Sequence, residues 1–136
     1  MQKLLFLPFL LALAGNLSAQ KLKAADVPQA VRTAFAQKFP GVTVEKWTKE
    51  DTAFEAEFDG ANDQEMSANF AADGAWLETE TEITFAELPA PVRTAVQGQK
   101  VKEAARIERA GGTTVFEVEV KGKGDLRFNA QGNPVQ

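Results

Sequence analysis

The chain contains no cysteine and no histidine. Without them there can be no disulfide staple and no lipid on a cysteine, and soft metal sites and the commonest nucleophile–base pairs are excluded together. Serine is almost missing as well. Beyond the N-terminal leader only Ser67 remains, in mid-strand and with no imidazole to activate it. No glycine-rich loop follows a strand and opens a helix, so nucleotide binding has no support. No apolar run is long enough for a membrane span either: residues 4–14 are interrupted by Pro8 and fall short of a hydrocarbon core of about 30 Å.

That short run has the layout of a secretory signal. Lys3 precedes it, and Gly15-Asn16-Leu17-Ser18-Ala19 follows as a polar, small-residue exit. The sequence therefore predicts a signal peptide over residues 1–19, a cut after Ala19, and a periplasmic or secreted chain with no stable membrane insertion after cleavage. Lys3 leaves with the leader, so 14 basic residues face 19 acidic ones, a net charge of −5. Nucleic acid and anionic membrane surfaces need basic patches and are disfavoured as partners. With 136 residues, 44% hydrophobic and 25% charged, the chain has the size and composition of one globular domain.

Three stretches recur in the same order. Val27-Pro28-Gln29-Ala30-Val31-Arg32-Thr33-Ala34-Phe35 returns as Leu88-Pro89-Ala90-Pro91-Val92-Arg93-Thr94-Ala95-Val96; Phe54-Glu55-Ala56-Glu57-Phe58 as Phe116-Glu117-Val118-Glu119-Val120; and Phe70-Ala71-Ala72-Asp73-Gly74 as Phe128-Asn129-Ala130-Gln131-Gly132. This predicts one domain over 20–136 built of two repeats, about 26–83 and 84–136. Each is expected to open with a short amphipathic helix, the first capped by Asp26 and the second carrying Thr84 and Glu87 at capping-box spacing. Period-two alternation then predicts strands. The expected fold class is α+β: a tandem duplication of a helix followed by a roughly four-stranded antiparallel meander, with the helices packed on one face of the sheet and a polar face left open.

The candidate chemistry lies on that polar face. Glu55 and Glu57, like Glu117 and Glu119, lie two apart on one strand face. An open face offers neither the cleft nor the raised pKa that a carboxylate acid/base pair needs, so the expectation is no enzyme and solvated glutamates. Trp47 has the opposite parity from Val42 and Val44. In a regular strand it would join Glu55 and Glu57 on the polar face; a bulge near Lys46 would turn it inward. Arg32 and Arg93, at matching helix positions, are read as solvating the outer helix face. After Asp73-Gly74, a type I turn with a bulge would set Trp76 opposite Phe70, in the core.

Together the Leu/Val-Pro helix ending in Phe39-Pro40-Gly41, the Val-x-x-Trp strand at Trp47, the Phe54 to Phe58 strand and the hairpin through Asp73-Gly74-Ala75-Trp76-Leu77 resemble the PepSY-like family. Those are exported bacterial proteins similar in fold to beta-lactamase-inhibitory protein. The second copy departs from the pattern, with no Phe-Pro-Gly stop, no tryptophan, and Pro134 in its last strand. The resemblance implies an exported module whose sheet face docks on another protein, inhibitor-like in form, and it supplies no catalytic residue.

The expected function is thus non-enzymatic binding of a protein or peptide of the cell envelope through Trp47, Glu55, Glu57, Glu117 and Glu119, with no cofactor and no metal. The alternative is an envelope small-ligand or cation binder using the acidic loop 59–65, although that loop lacks the EF-hand ligand spacing.

Overall fold

The computed structural model describes residues 19–136, and the leader read at 1–19 lies outside the described residues but for Ala19. The period-two segments become strands of one antiparallel sheet, each strand paired with the next in the chain. In order the elements are β1 (Gln20–Leu22), α1 (Gln29–Lys38), β2 (Lys46–Glu50), β3 (Ala53–Asp59), β4 (Glu65–Ala71), β5 (Trp76–Ile83), α2 (Ala90–Ala95), β6 (Val101–Arg109), β7 (Thr114–Val120) and β8 (Gly124–Phe128).

This corrects the expected fold class. There are not two tandem units, each a helix with its own four-stranded meander. A single eight-stranded sheet runs through the described chain, with two short helices. β1 precedes the first helix and pairs with β2 through Lys21↔Thr48 and Leu22↔Trp47. Only three strands follow α2. β5 and β6 pair from Glu78↔Arg109 to Ile83↔Ala104, across the supposed repeat boundary. The physical reason is the cost of edges: a meander ending at β5 would leave a row of unpaired backbone groups, and β6 satisfies them.

Both helices lie on the same face of this sheet. Val27, Val31 and Phe35 pack with Trp47, Phe54, Ala56, Phe58, Ala68 and Phe70. Leu88, Val92 and Val96 pack with Ile83, Ala104, Phe116, Val118, Val120 and Phe128. Each large side chain buried this way contributes about 1.5–3 kcal/mol. Phe35 meets Phe58 edge-on at 5.0 Å and Phe70 at 6.3 Å, placing it at the centre of the first core. Between the two cores, on the same face, stand the buried Thr79 and Thr81, with Arg106 opposite Thr81.

The helix starts differ in detail from expectation. Asp26 caps nothing; it ends a 3-10 turn, Ala24–Asp26, and α1 begins after Pro28. The Thr84–Glu87 capping box forms, with the Thr84 N–H donating to Glu87 Oε2 at 2.7 Å, but it closes the 3-10 turn Phe85–Glu87 rather than α2. The two arginines are more than solvated. Arg32 Nε donates to the Val27 carbonyl at 3.2 Å, and Arg93 Nη1 donates to the carbonyls of Leu88 and Ala86. Each ties its helix to the turn before it. Arg93→Ala should therefore lower stability by about 1–2 kcal/mol, seen as a lower urea midpoint at unchanged m.

The Asp73-Gly74 turn has the bulged form. Register shifts between Asn69 and Phe70, so Phe70 faces Trp76, which packs against the first core with Lys38 Nζ 3.7 Å from its ring centroid.

Candidate functional site

The face opposite the helices carries the acidic side chains. Register places Thr48, Glu55 and Asn69 in one row and Lys46, Glu57, Ser67 and Glu80 in the next. On the other side of β5, Glu82, Ala105, Glu117 and Arg127 form a row, and Glu119 stands opposite Asp125. Four of the five predicted residues, Glu55, Glu57, Glu117 and Glu119, thus share one face. Trp47 does not. It pairs with Ala56, is 6% exposed, and meets Phe35 edge-on at 5.8 Å. The reason is local: residues 42–45 are irregular, the strand begins at Lys46, and the parity of Val42 and Val44 does not carry into it.

Two of these four glutamates, Glu55 and Glu117, are not solvated as expected. Glu55 is 4% exposed, Glu80 and Glu117 7%, and the nearby Ile107 and Val115 are fully buried. Neither described helix covers this face; the chain end reaches it instead. Arg109 Nη1 donates to the Gln136 carbonyl at 3.2 Å, while Val135 N–H bonds Arg127 O beside β8.

Burial dominates its electrostatics. Desolvation, with help from Glu57 and Glu50, pushes the Glu55 carboxyl up to about 7. Desolvation and the like charges of Glu117 and Glu55, two strands away on either side, push Glu80 up to about 8. Glu117 is also raised by burial, although Arg127 Nε donates to its Oε2 at 2.9 Å. At the rim, Lys46–Glu57 and Lys102–Glu119 ion pairs at 3.8 Å offset part of the charge. Reading the sequence missed Glu80 and Arg127. The run Glu78-Thr79-Glu80-Thr81-Glu82 held the signal, since its alternation sets three glutamates on one face.

The loop 59–65 forms a 3-10 turn, Ala61–Asp63, with Asn62 and Asp63 at positive φ. It lines a cleft of about 340 Å³ together with Glu82, Phe85, Lys102 and Glu103. Among the described residues no three acidic side chains converge as a metal site requires. None of the described helices is long and apolar enough to cross a membrane.

Comparison with known proteins gives the geometry its context. Among proteins with curated functions, none matches the chain. Solved structures share the fold. The crystal structure described as "putative periplasmic proteins" from Bacteroides eggerthii aligns with TM-score 0.74 at 18% identity, covering 81% of this chain and 86% of that one. A DUF2874 family protein from Bacteroides uniformis aligns with TM-score 0.71 at 20% identity, covering 80% and 86%. A BLIP-like protein from Bacteroides fragilis aligns with TM-score 0.66 at 28% identity, covering 80% and 84%. The model of the family described as "Putative beta-lactamase-inhibitor-like, PepSY-like" matches residues 16–68 and 55–135, nearly all of the described chain. The chain belongs to this PepSY-like, beta-lactamase-inhibitor-like family.

Proposed function

We propose that the protein is a non-enzymatic binding module that acts outside the cytoplasm and docks on a protein or peptide through its acidic sheet face. The observation that carries this reading is the concentration of desolvated carboxylates, Glu55, Glu80 and Glu117 with Glu57 and Glu119 at the rim, on the sheet face that neither described helix covers. A negative surface suits a basic segment, and complementary charge speeds encounter and sets register. Export is the reading of the leader sequence, and the description of a structural relative as periplasmic agrees with it. The BLIP-like relative supports an inhibitor-like mode only as an analogy of form. The cleft beside loop 59–65 offers a place for a small ligand, but its carboxylates do not converge, so the sheet face is preferred.

The test is capture of envelope and secreted proteins by the native chain beside a variant with Glu55, Glu57, Glu117 and Glu119 changed to Lys. A partner held by the native chain should be lost by the variant, and its binding should weaken as salt screens the exposed charges beyond about 10 Å. Equal capture by both, or binding indifferent to salt, would remove the face from consideration.

A further inference from the structure

The second half of the sheet shows how one of these buried glutamates is satisfied. Glu117 on β7 lies opposite Arg127 on β8; their side chains are 10% and 11% exposed, and Nε sits 2.9 Å from Oε2. Glu55 on β3 holds the matching place in the first half. It lies opposite Asn69 on β4 as Glu117 lies opposite Arg127, and the neighbouring pairs correspond too, Phe54↔Phe70 with Phe116↔Phe128. Asn69 is neutral where Arg127 is charged. Glu55 accepts a hydrogen bond from Asn69, yet its Oε1 is buried with no hydrogen-bond partner among the described residues, and Lys46 on β2, whose charge acts on Glu55, lies 3.8 Å from Glu57. An unpaired buried carboxylate oxygen is costly, far more so than one paired by a cation.

We infer that Glu55, with Glu57 and Glu80 beside it, forms a subsite for a guanidinium group brought by the partner, the first-half counterpart of the internal Arg127–Glu117 pair. Arginine fits this place better than lysine. A planar guanidinium offers several donors to carboxylates lying on different strands, and it sheds its water more readily than an ammonium. The charged and titratable groups that bear on Glu55 from the packed strands are Lys46 and Glu50 on β2, Glu57 on β3 and Glu80 on β5, a net negative set that favours a cation. This inference rests on the proposed sheet-face function and narrows it to a partner presenting an arginine.

The experiment titrates the protein with an end-blocked Ala-Arg-Ala peptide, and with its citrulline analogue, which keeps the shape and removes the charge. Amide shifts of β3 and β4 are followed by NMR. The arginine peptide should move residues around Glu55 saturably and bind about tenfold or more tighter than the citrulline peptide. Asn69→Arg supplies the guanidinium from β4 as Arg127 does from β8, so it should abolish the response and raise the melting temperature at neutral pH. Glu55→Gln, which keeps the shape, should abolish the response as well, and it decides the matter if Asn69→Arg fails to fold. Equal binding of the two peptides, equal binding by native and Glu55→Gln protein, or no response around Glu55 overturns the inference. The wider reading is tested separately. If a captured partner is lost by the fourfold lysine variant but kept by Asn69→Arg, the subsite falls and the face stands; if both variants keep it, both fall.

Discussion

Gly132→Ala is expected to cost about 2–4 kcal/mol, against about 1 kcal/mol for Gly98→Ala, although the two glycines share nearly the same backbone angle, φ +81° and +79°. The shared part of the cost is the left-handed conformation, which an L side chain adopts at a penalty. The difference is space. A Cβ at Gly98 meets nothing within 4 Å, whereas at Gly132 it would lie 2.5 Å from the Pro91 carbonyl oxygen and 2.8 Å from its carbon. Those are backbone atoms in the first turn of α2, so the hairpin or the helix must move. Gly74 repeats the arrangement on α1, 2.7 Å from the Ala30 oxygen at φ +90°, and Gly74→Ala should lose a similar amount. Urea unfolding of the three variants at matched m-values checks this. Equal losses at Gly98 and Gly132 would show that the hairpin tip does not seat on the helix.

That contact explains what was legible in the sequence. Asp73-Gly74 and Gln131-Gly132 stand out as turns because few residues accept positive φ, and the bulged form brings Trp76 opposite Phe70 as the poor fit of Gln131 to that conformation suggests. The alternation through Phe54 and Phe58, and through Phe116 and Val120, shows which side chains are buried because strand parity is a local property. Parity fails where the strand is interrupted, and for that reason the sequence leaves both faces open to Trp47. The joining of β5 to β6 is invisible to local patterning, since pairing partners are chosen by edges and not by the strand's own residues. Desolvation of the glutamates is equally hidden. Alternation tells which face a glutamate occupies, but the side chains brought beside it from other strands decide how much water reaches it.

Desolvation of these carboxyls has a consequence for stability that can be measured. Stability should fall as pH rises from about 4.5 to about 8 and level off above that, the reverse of a protein held by salt-bridged carboxylates. Glu55 and Glu80 have folded-state values of about 7 and about 8, against 4.5 for the exposed group. Between those limits the native chain binds more protons than the unfolded chain, so unfolding releases protons and is favoured by raising pH. Below about 4.5 both states are protonated and the difference vanishes. Burial likewise raises Glu65, Glu103, Glu117 and Asp125, which add to the fall in the same direction. A tenfold difference in proton affinity between the folded and unfolded chain is worth about 1.4 kcal/mol, so Glu80 alone accounts for a change on the order of a few kcal/mol, and because it interacts with Glu55 and Glu117 the contributions do not simply add. Glu80→Gln should therefore match the native chain near pH 5 and exceed its stability by about 2–4 kcal/mol near pH 9, with a shallower slope that Glu55 and the other raised carboxyls still set. Urea midpoints across this range provide the measurement; a native stability that is flat or rising with pH would mean that these carboxylates stay hydrated. Under the proposed function, the charge that these carboxyls acquire as pH rises, and that weakens the free protein, is the charge that a basic partner would neutralise.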